Sequence, residues 1–303
     1  MSTPPVAGAS ALPLETRAAV LVEAIPYIRR FAGRVVVVKY GGSALGAAGA
    51  GGEAGVLARF AEDVVLMVSV GMRPVVVHGG GPQIGALMER LGKTPRFVDG
   101  LRVTDAETLD IARMVLVGKI NRDIVGALNA HGPLAIGLSG EDASFISVAE
   151  RDPALGFVGD VVGVDASVPG RLVTGGFVPV VATIGAGERA QAYNVNADTV
   201  AGALAAAMGA EKLVLLTDVP GILERPDDPT SLRAALDVAQ LDALIATGAI
   251  SGGMIPKARA CADAVRHGVR SAHILDGRIP HVLLLELLSD AGVGTMITSA
   301  EER

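Results

Sequence analysis

The chain has few of the residues on which several kinds of catalysis depend. Cys261 is the only cysteine in 303 residues, which excludes an internal disulfide and a cysteine metal centre, and its helical surroundings predict a small buried side chain. The five histidines are scattered and form no Ser-His-Asp set or metal-ligand cluster, and there are no paired glutamates. These absences argue against chemistry that needs a general base or a bound zinc ion.

Positive charge and long apolar runs are also scarce. The formal net charge is −6, from 26 basic and 32 acidic residues, and no basic stripe is present, so nucleic acid and anionic membranes are not expected partners. No uncharged apolar run reaches ~18 residues, and the N-terminus has no signal-peptide core. We therefore expect a soluble cytoplasmic protein.

Short apolar runs typical of buried strands alternate with helical patterns along the chain. Half of the residues are hydrophobic, and short apolar runs such as Val35–Val38 and Leu213–Thr217 alternate with helical patterns such as Pro82–Leu91 and Ala106–Ala130. The pattern predicts an α/β fold with a mostly parallel central sheet covered on both faces, in which ligands bind beyond the carboxyl ends of the strands. The low-complexity segment 44–55 is predicted to be a surface loop.

Residues 1–33, a disordered tail followed by a kinked N-terminal helix, are predicted to stand apart from the main sheet. Residues 1–12 are small and contain proline, which is typical of disorder. Leu14–Phe31 has the apolar spacing of an amphipathic helix, with a kink expected at Pro26.

Lysine is rare, with five against 21 arginines, and two of the five are predicted to lie in glycine-rich loops. Lys39 follows four valines and precedes a glycine pair, and Lys257 closes a glycine loop at the start of a helix predicted over Pro256–Gly268. A compact charge on a flexible stem suits a phosphate held by backbone amides. Chance placement of surface charge is the alternative, and two such segments favour phosphate chemistry.

Four other segments carry polar groups at predicted strand ends. In HGGG, which ends at Gly81, successive amides can approach an anion or simply make a tight turn, and His78 is given no catalytic role. In GLRVTD, Arg102 fits either a substrate carboxylate or a structural ion pair. In YNVNADT, Asn194, Asn196 and Asp198 would face one side of an extended segment, with Asp198 capping the next helix. Thr217-Asp218 fits either a nucleotide contact or a plain turn.

The absences and the lysines together indicate one type of reaction. Attack by a group that is already anionic, such as a carboxylate on the γ-phosphate of ATP, needs no general base. Catalysis then reduces to alignment and charge neutralisation by lysine, Mg²⁺ and amides.

Six motifs occur in order along the chain: KYGG at 39–42, HGGGPQI at 78–84, GLRVTD at 100–105, NVNAD at 194–198, LTDVPGIL at 216–223 and GGMIPK at 252–257. Together they resemble the motifs of the N-acetyl-L-glutamate kinases of the amino-acid kinase family. GLRVTD and NVNAD favour this branch over the aspartate, glutamate, carbamate and UMP kinases.

The resemblance implies an open αβα sandwich of two lobes. Residues 34–187 would bind N-acetylglutamate, residues 188–303 would bind MgATP, and the product would be N-acetylglutamyl 5-phosphate for arginine synthesis. Two features depart from the family pattern: a longer glycine-alanine stretch after Ser43, and Glu141 where a lysine is common.

The resemblance also implies a role for each motif residue. Lys39 and Lys257 would stabilise the transferred phosphoryl group, and Asp198 would orient both lysines, with no metal ligand from the protein. The substrate would be held by Gly42, Gly80, Gly81, Arg102, Asn194 and Asn196. The nucleotide would be held by Thr217, Asp218, Val219, Gly221, Leu223, Gly253 and Met254.

The first helix and the C-terminal segment resemble those of arginine-inhibited members, which form hexamers as trimers of dimers. An L-arginine site would then comprise Tyr27, His273, Glu286 and Gly292. In the alternative, Leu14–Phe31 only packs on its own subunit. A kinase of a related small acid and a non-catalytic arginine-sensing scaffold are the other functions considered.

Overall fold

An eight-stranded sheet forms the centre of the protein, with strand order β12-β14-β13-β11-β1-β2-β8-β5. The structure is a computed structural model that describes residues 13–41, 52–225, 228–290 and 292–300. Six neighbouring strands are parallel, and β14 runs antiparallel to β13 and parallel to β12. Helices cover both faces, so the predicted α/β fold with a mostly parallel sheet is confirmed. The division into two lobes stays a prediction.

The strands have the following bounds. They are β1 (Val35–Tyr40), β2 (Arg73–His78), β3 (Phe97–Val98), β4 (Leu101–Arg102), β5 (Ala135–Ser139), β6 (Ile146–Glu150), β7 (Val158–Val164), β8 (Val178–Ala182), β9 (Ile184–Ala186), β10 (Ala192–Val195), β11 (Lys212–Thr217), β12 (Ala235–Asp237), β13 (Ser271–Asp276) and β14 (Thr295–Thr298).

The α-helices alternate with these strands. They are α1 (Leu14–Glu23), α2 (Ile25–Phe31), α3 (Gly52–Ser69), α4 (Gly81–Arg90), α5 (Ala106–Arg113), α6 (Asn121–Asn129), α7 (Ser167–Thr174), α8 (Ala197–Ala207), α9 (Val238–Ala246), α10 (Met254–Arg266) and α11 (Val282–Leu288). A π-helix, Met114–Ile120, joins α5 to α6, so the predicted helix over 106–130 is continuous but not uniformly α-helical.

The side chains of β1 show how the sheet divides the core. Val36 and Val38 belong to a core with residues of α2, α3, α5, α6 and α11. Val37 belongs to a second core with residues of α8 and α10. Successive strand residues point to opposite faces, so an unbroken valine run is what a strand buried on both sides requires. Cys261 lies in the second core, where burial raises the pKa of its thiol, as expected of a structural cysteine.

The N-terminal helical segment is two helices and not one. The break falls at Ala24, and Pro26 occupies the first turn of α2, where its missing N–H costs nothing. Every residue of α1 is at least partly exposed, with Leu21 at 72% and Val22 at 63%. The apolar side chains of α1 are therefore not buried against the described part of the chain.

Two other features differ from the sequence-based expectations. Residues 52–55 of the predicted loop begin α3, while residues 44–51, Gly42 and the tail 1–12 lie outside the described residues. A second sheet of four strands, β10-β7-β6-β9, was not predicted. Its strands are short and broken by glycines, such as Gly159 and Gly185, that pack against Val148.

Within the described ranges, no helix has the length and apolarity needed to cross a membrane.

Candidate active site

Two lysines and one aspartate meet at the carboxyl edge of the central sheet. Lys39 is the fifth residue of β1, Asp198 lies in the first turn of α8, and Lys257 lies in the first turn of α10. The Nζ atom of Lys39 is 2.8 Å from Oδ1 of Asp198, and that of Lys257 is 3.0 Å from Oδ2. The three residues that the sequence grouped are thus in direct contact, with the carboxylate bridging both lysines.

The cluster is buried and retains its charges. The Asp198 side chain is 5% exposed, and burial opposes its ionisation. The charges of Lys39 and Lys257 outweigh that effect, so the pKa of Asp198 lies below its ordinary value. Two cations around one anion leave a net positive charge, which suits an anionic ligand.

The local geometry corrects three sequence-based expectations. Neither lysine is in a loop, since Lys39 belongs to β1 and Lys257 to α10, which begins two residues before the predicted start at Pro256. Asn196, not Asp198, caps α8, and its Oδ1 accepts hydrogen bonds from the amides of Asp198 and Thr199. Asn194, Asn196 and Asp198 therefore do not share one extended strand face, because a helix starts at residue 197.

The predicted glycine turn follows β2 and begins α4. Gly80 is the N-cap residue of α4 and Gly81 its first residue. A Cβ on Gly80 would lie 2.2 Å from Cδ1 of Ile120, so any larger residue here would require the buried Ile120 side chain to move. The first amides of a helix have no intrahelical acceptor, which leaves them able to bind an anion.

Arg102 lies against this turn. Its Nη2 donates to the carbonyl oxygen of Gly81 at 2.8 Å, and its guanidinium stacks 4.8 Å from the ring centroid of Phe97. A guanidinium has five N–H donors, so this bond leaves others for a carboxylate. Arg102 is therefore in contact with Gly81, and the shared role of these two residues in holding the substrate stays a prediction.

Asn194, in β10, lies near the segment that follows Arg102. Its Nδ2 lies 3.5 Å from Oγ1 of Thr104, a buried residue that follows the Arg102 strand. Asn196 is committed to its cap through Oδ1, which leaves its amide nitrogen as the group able to reach a ligand.

The residues predicted to bind a nucleotide lie at the same edge of the sheet. Thr217 ends β11, which pairs with β1, and its Oγ1 donates to Oδ1 of Asp218 at 3.1 Å. The turn continues through Val219 to Gly221, where φ is +147° and a Cβ would lie 2.6 Å from Oγ1 of Thr295. Leu223 forms a bridge to Leu232.

Gly253 and Met254 form the start of α10, four residues or fewer before Lys257. A groove of about 930 Å³ runs along α8 and α10 and is lined in part by Asn196 and Gly253. Lys39 and Lys257 do not line that groove. The candidate site is therefore defined by the ion cluster, and the groove lies next to it.

A second ion cluster lies at the amino edge of the sheet. Oε1 of Glu286 is 2.8 Å from Nζ of Lys212 and 2.8 Å from Nδ1 of His273. Burial opposes ionisation of Glu286, but His273 and Lys212 overcome it and lower its pKa. Burial also lowers the pKa of His273.

The predicted arginine-site residues are only partly brought together. His273 and Glu286 are in contact, and Tyr27 lies on α2, which packs against the helix of Glu286. Gly292 lies in the turn before β14 with φ at +55°. Lys212 was not predicted to belong to a site, although lysine is rare in this chain and that rarity applies to Lys212 as much as to Lys39 and Lys257.

Glu141, the departure from the family pattern, has a local partner. Its Oε1 accepts from Nη2 of Arg113 at 2.8 Å. Among the residues that the structure describes, no group of three or more His, Cys, Asp or Glu side chains could hold a metal ion.

Comparison with known proteins agrees with this geometry. The model of the family described as "Amino acid kinase family" matches residues 34–276. The acetylglutamate kinase of Symbiobacterium thermophilum is 54% identical over 290 residues, which cover 93% of this chain and 97% of that protein. The acetylglutamate kinase of Synechocystis sp. is 50% identical over 286 residues, covering 94% of each chain.

Solved structures show the same fold. N-acetylglutamate synthase from Neisseria gonorrhoeae, complexed with coenzyme A and L-arginine, superposes with a TM-score of 0.79 at 27% identity. The superposition covers 93% of this chain and 65% of the synthase chain. Carbamate kinase from Giardia has a TM-score of 0.68 at 17% identity, over 88% of this chain and 99% of that one, which supports the fold alone.

Proposed function

Since this chain belongs to the amino acid kinase family, we propose that it transfers the γ-phosphoryl group of ATP to the γ-carboxylate of N-acetyl-L-glutamate. The relatives at 54% and 50% identity bear the name acetylglutamate kinase and match almost end to end. The product, N-acetyl-L-glutamyl 5-phosphate, belongs to arginine biosynthesis, and we place the reaction in the cytoplasm. The observation that carries the proposal is the Lys39–Asp198–Lys257 cluster beside the glycine turn.

The cluster suits a direct transfer. A γ-carboxylate oxygen forms a bond to the γ-phosphorus while the bond from that phosphorus to the β,γ-bridging oxygen breaks, and ADP leaves. The carboxylate is already ionised, so no proton has to be removed. Negative charge on the transferred group is neutralised by Lys39 and Lys257, which Asp198 holds in place before the substrates arrive.

The substrate would be held by groups around the glycine turn. The amides of Gly80 and Gly81 face an oxyanion at the start of α4, and Arg102 and Asn194 hold the α-carboxylate. Asn196 and Gly42 complete the proposed set. The short distance from Arg102 to Gly81 supports this arrangement.

ATP would bind across the ends of β11 and α10. The turn from Thr217 to Leu223 and the Gly253-Met254 pair line the proposed nucleotide site. Mg²⁺ would enter as MgATP, coordinated by phosphate oxygens, with no side-chain ligand from the protein.

L-Arginine would act as a feedback inhibitor at the second cluster. The pairing of His273 with Glu286, and the packing of α2 on α11, support a site that also includes Tyr27 and Gly292. We further propose a homohexamer, a trimer of dimers joined through the N-terminal helices. The exposed apolar side chains of α1 support that role.

Removal of the helices separates the regulatory proposals from the catalytic one. Deletion of residues 1–30 should leave dimers, with turnover retained and inhibition by arginine weakened. The measurements are mass by light scattering and turnover against arginine concentration. A hexamer of unchanged sensitivity would overturn both regulatory proposals and leave the kinase assignment intact.

The catalytic proposal is tested by trapping the product. Acyl phosphate formation, dependent on ATP and Mg²⁺, is measured as the hydroxamate with N-acetylglutamate, glutamate and aspartate. Turnover on N-acetylglutamate alone is expected. A preference for another acid would make the enzyme a kinase of a related carboxylate. A protein that phosphorylates none of the acids but still binds arginine would instead be a sensing scaffold.

A further inference from the structure

A buried hydrogen-bonded chain lies directly behind the glycine turn. His78 ends β2 and is 0% exposed, and Asn121, also 0% exposed, follows the π-helix Met114–Ile120. Nε2 of His78 is 3.1 Å from Nδ2 of Asn121, and Nδ1 of His78 is 3.3 Å from the carbonyl oxygen of Gly79. Neither side chain has a role in the mechanism above.

The neighbours of Asn121 fix which way its amide faces. Nδ2 lies 2.8 Å from the carbonyl oxygen of Val180 and 3.4 Å from that of Leu138, and both of these atoms can only accept. Oδ1 accepts from Nη2 of Arg122, a group that can only donate. The NH₂ group of Asn121 therefore faces His78, and its carbonyl oxygen does not.

This orientation determines the tautomer of His78. An NH₂ group facing Nε2 requires Nε2 to accept, so the ring proton lies on Nδ1 and Nδ1 donates to Gly79. Burial lowers the pKa of His78 to about 4, so the ring is neutral at physiological pH and carries that one proton. The carbonyl oxygens of Val180 and Leu138 cannot donate, and they therefore fix the direction of each hydrogen bond from Asn121 through His78 to Gly79.

The bond to Gly79 sets the direction of the next amide. The peptide joining Gly79 to Gly80 is trans, so its C=O and N–H point to opposite sides. A carbonyl turned inward to His78 turns the N–H of Gly80 outward, away from the core.

Two neighbouring side chains pack closely against the same peptide. A Cβ on Gly80 would lie 2.2 Å from Cδ1 of Ile120, and one on Gly79 would lie 3.2 Å from Cβ of Ala197, the residue before Asp198. Ile120, the last residue of the π-helix, thus packs against the turn, and the next residue, Asn121, forms a hydrogen bond with His78. π-Helical segments are rare and often found at functional sites.

We propose that His78 and Asn121 are positioning residues that aim the Gly80 N–H at an oxygen of the reacting carboxylate or phosphoryl group. This inference rests on the proposed kinase function. An amide that meets its oxygen chiefly in the transition state contributes to kcat more than to KM.

Two substitutions at position 78 distinguish the loss of the hydrogen bond to Gly79 from the loss of side-chain volume. In His78→Asn the side-chain amide nitrogen can occupy the position of Nδ1 and still donate to Gly79, while in His78→Gln it lies near Nε2 and cannot. We expect His78→Gln to lower kcat by about 10–100-fold with the N-acetylglutamate KM within about threefold, and His78→Asn to stay within about fivefold of wild type. Thermal unfolding of both variants checks that they are folded, and equal kcat losses in the two would overturn the proposal.

A measurement on the wild-type protein keeps the proposal testable if the variants fail to fold. The chain has five histidines, so ¹⁵N-histidine labelling gives few signals to assign. Ring nitrogen shifts should show His78 with its proton on Nδ1 between pH 5.5 and 8, and a proton on Nε2 would overturn the chain. The tautomer needs no turnover, so a wild type that phosphorylates no acid refutes the kinase function, while a wrong tautomer refutes only the positioning role.

Discussion

Two ion clusters occupy opposite edges of one sheet, and both consist of a carboxylate between two nitrogen bases. Asp198 bridges Lys39 and Lys257, and Glu286 bridges Lys212 and His273. Lys39 is opposite Leu215 in the strand register and Lys212 is three residues earlier, about 10 Å along the strand. Lys39 also lies on the sheet face of Val37, and Lys212 lies on the opposite face, that of Val36.

The clusters differ in what their cations can reach. The Lys257 side chain is 19% exposed and projects from the first turn of a helix, beside a glycine turn. In the Glu286 cluster the Lys212 and Glu286 side chains are each 7% exposed and His273 is 3% exposed. The same arrangement of charges therefore leaves one cation partly accessible in the Asp198 cluster, which is the proposed catalytic site, and leaves all three side chains of the Glu286 cluster almost fully buried.

The largest expected effect is on catalysis at the Asp198 cluster. Lys39→Ala and Lys257→Ala should each lower kcat by roughly 10²–10³, because each removes a cation that stabilises the transferred phosphoryl group. Steady-state kinetics with N-acetylglutamate and ATP measure the change. Lys119→Ala is the matched control, since that lysine is 63% exposed and pairs with Asp123. Wild-type turnover in either cluster variant would remove that lysine from the mechanism.

The next effect is on stability at the Glu286 cluster. Lys212→Met should lower the free energy of unfolding by about 3 kcal/mol, because Glu286 would stay buried after losing its cation. Denaturant unfolding measures the loss, and the double variant Lys212→Met/Glu286→Gln should recover part of it. A cost below about 1 kcal/mol for the single change would show that the cluster is open to water.

A third buried carboxylate, Asp63, sharpens the comparison because its close partner is a histidine and not a lysine. Its Oδ1 lies 2.6 Å from Nδ1 of His281, while Glu62 lies 4.0 Å from the other ring nitrogen. Burial raises the pKa of Asp63 to about 6, although the hydrogen bond from His281 opposes the rise. In Asp198 and Glu286 two partners reverse that balance and lower the pKa.

The raised pKa of Asp63 predicts a stability that falls as pH rises. The folded state binds the proton more tightly than the unfolded state, so about 2 kcal/mol should be lost between about pH 4 and pH 6. Asp63→Asn cannot titrate, so Tm of wild type minus Tm of the variant should decrease across that range and then level. A difference that increases with pH would mean that Asp63 behaves like Asp198.

The smallest expected effect is on regulation. Glu286→Gln should raise the arginine concentration for half-inhibition by about tenfold, with a much smaller change in kcat than in Lys39→Ala, because the two clusters lie on opposite faces of the sheet. Turnover against arginine concentration measures both quantities. Unchanged sensitivity would leave Glu286 with a structural role only.

Local patterns predicted much of the fold and the candidate site. The valine run predicts strand β1, and the glycines after β2 predict the turn and the helix that follows it. Each of these elements depends on residues that are neighbours in the sequence. Asn196 shows the limit: both asparagine and aspartate favour helix N-caps, and only the structure shows which of the two caps α8.

Long-range pairing accounts for what the sequence could not show. His78 and Asn121 are 43 residues apart, and Lys212 and Glu286 are 74 residues apart. No local periodicity records such contacts. The four-stranded sheet was missed for the same reason, because β6 and β9 are short segments that are paired only in the folded chain.

The central claim is that phosphoryl transfer occurs between Lys39 and Lys257. It is tested most directly by the crystal structure of the protein with MgADP, N-acetylglutamate and aluminium fluoride, a planar mimic of the transferred group. We expect the fluoride ligands within hydrogen-bonding distance of Nζ of both lysines, with the substrate γ-carboxylate in line with ADP. A mimic bound away from both lysines, with substrate and nucleotide in place, would contradict the proposed site.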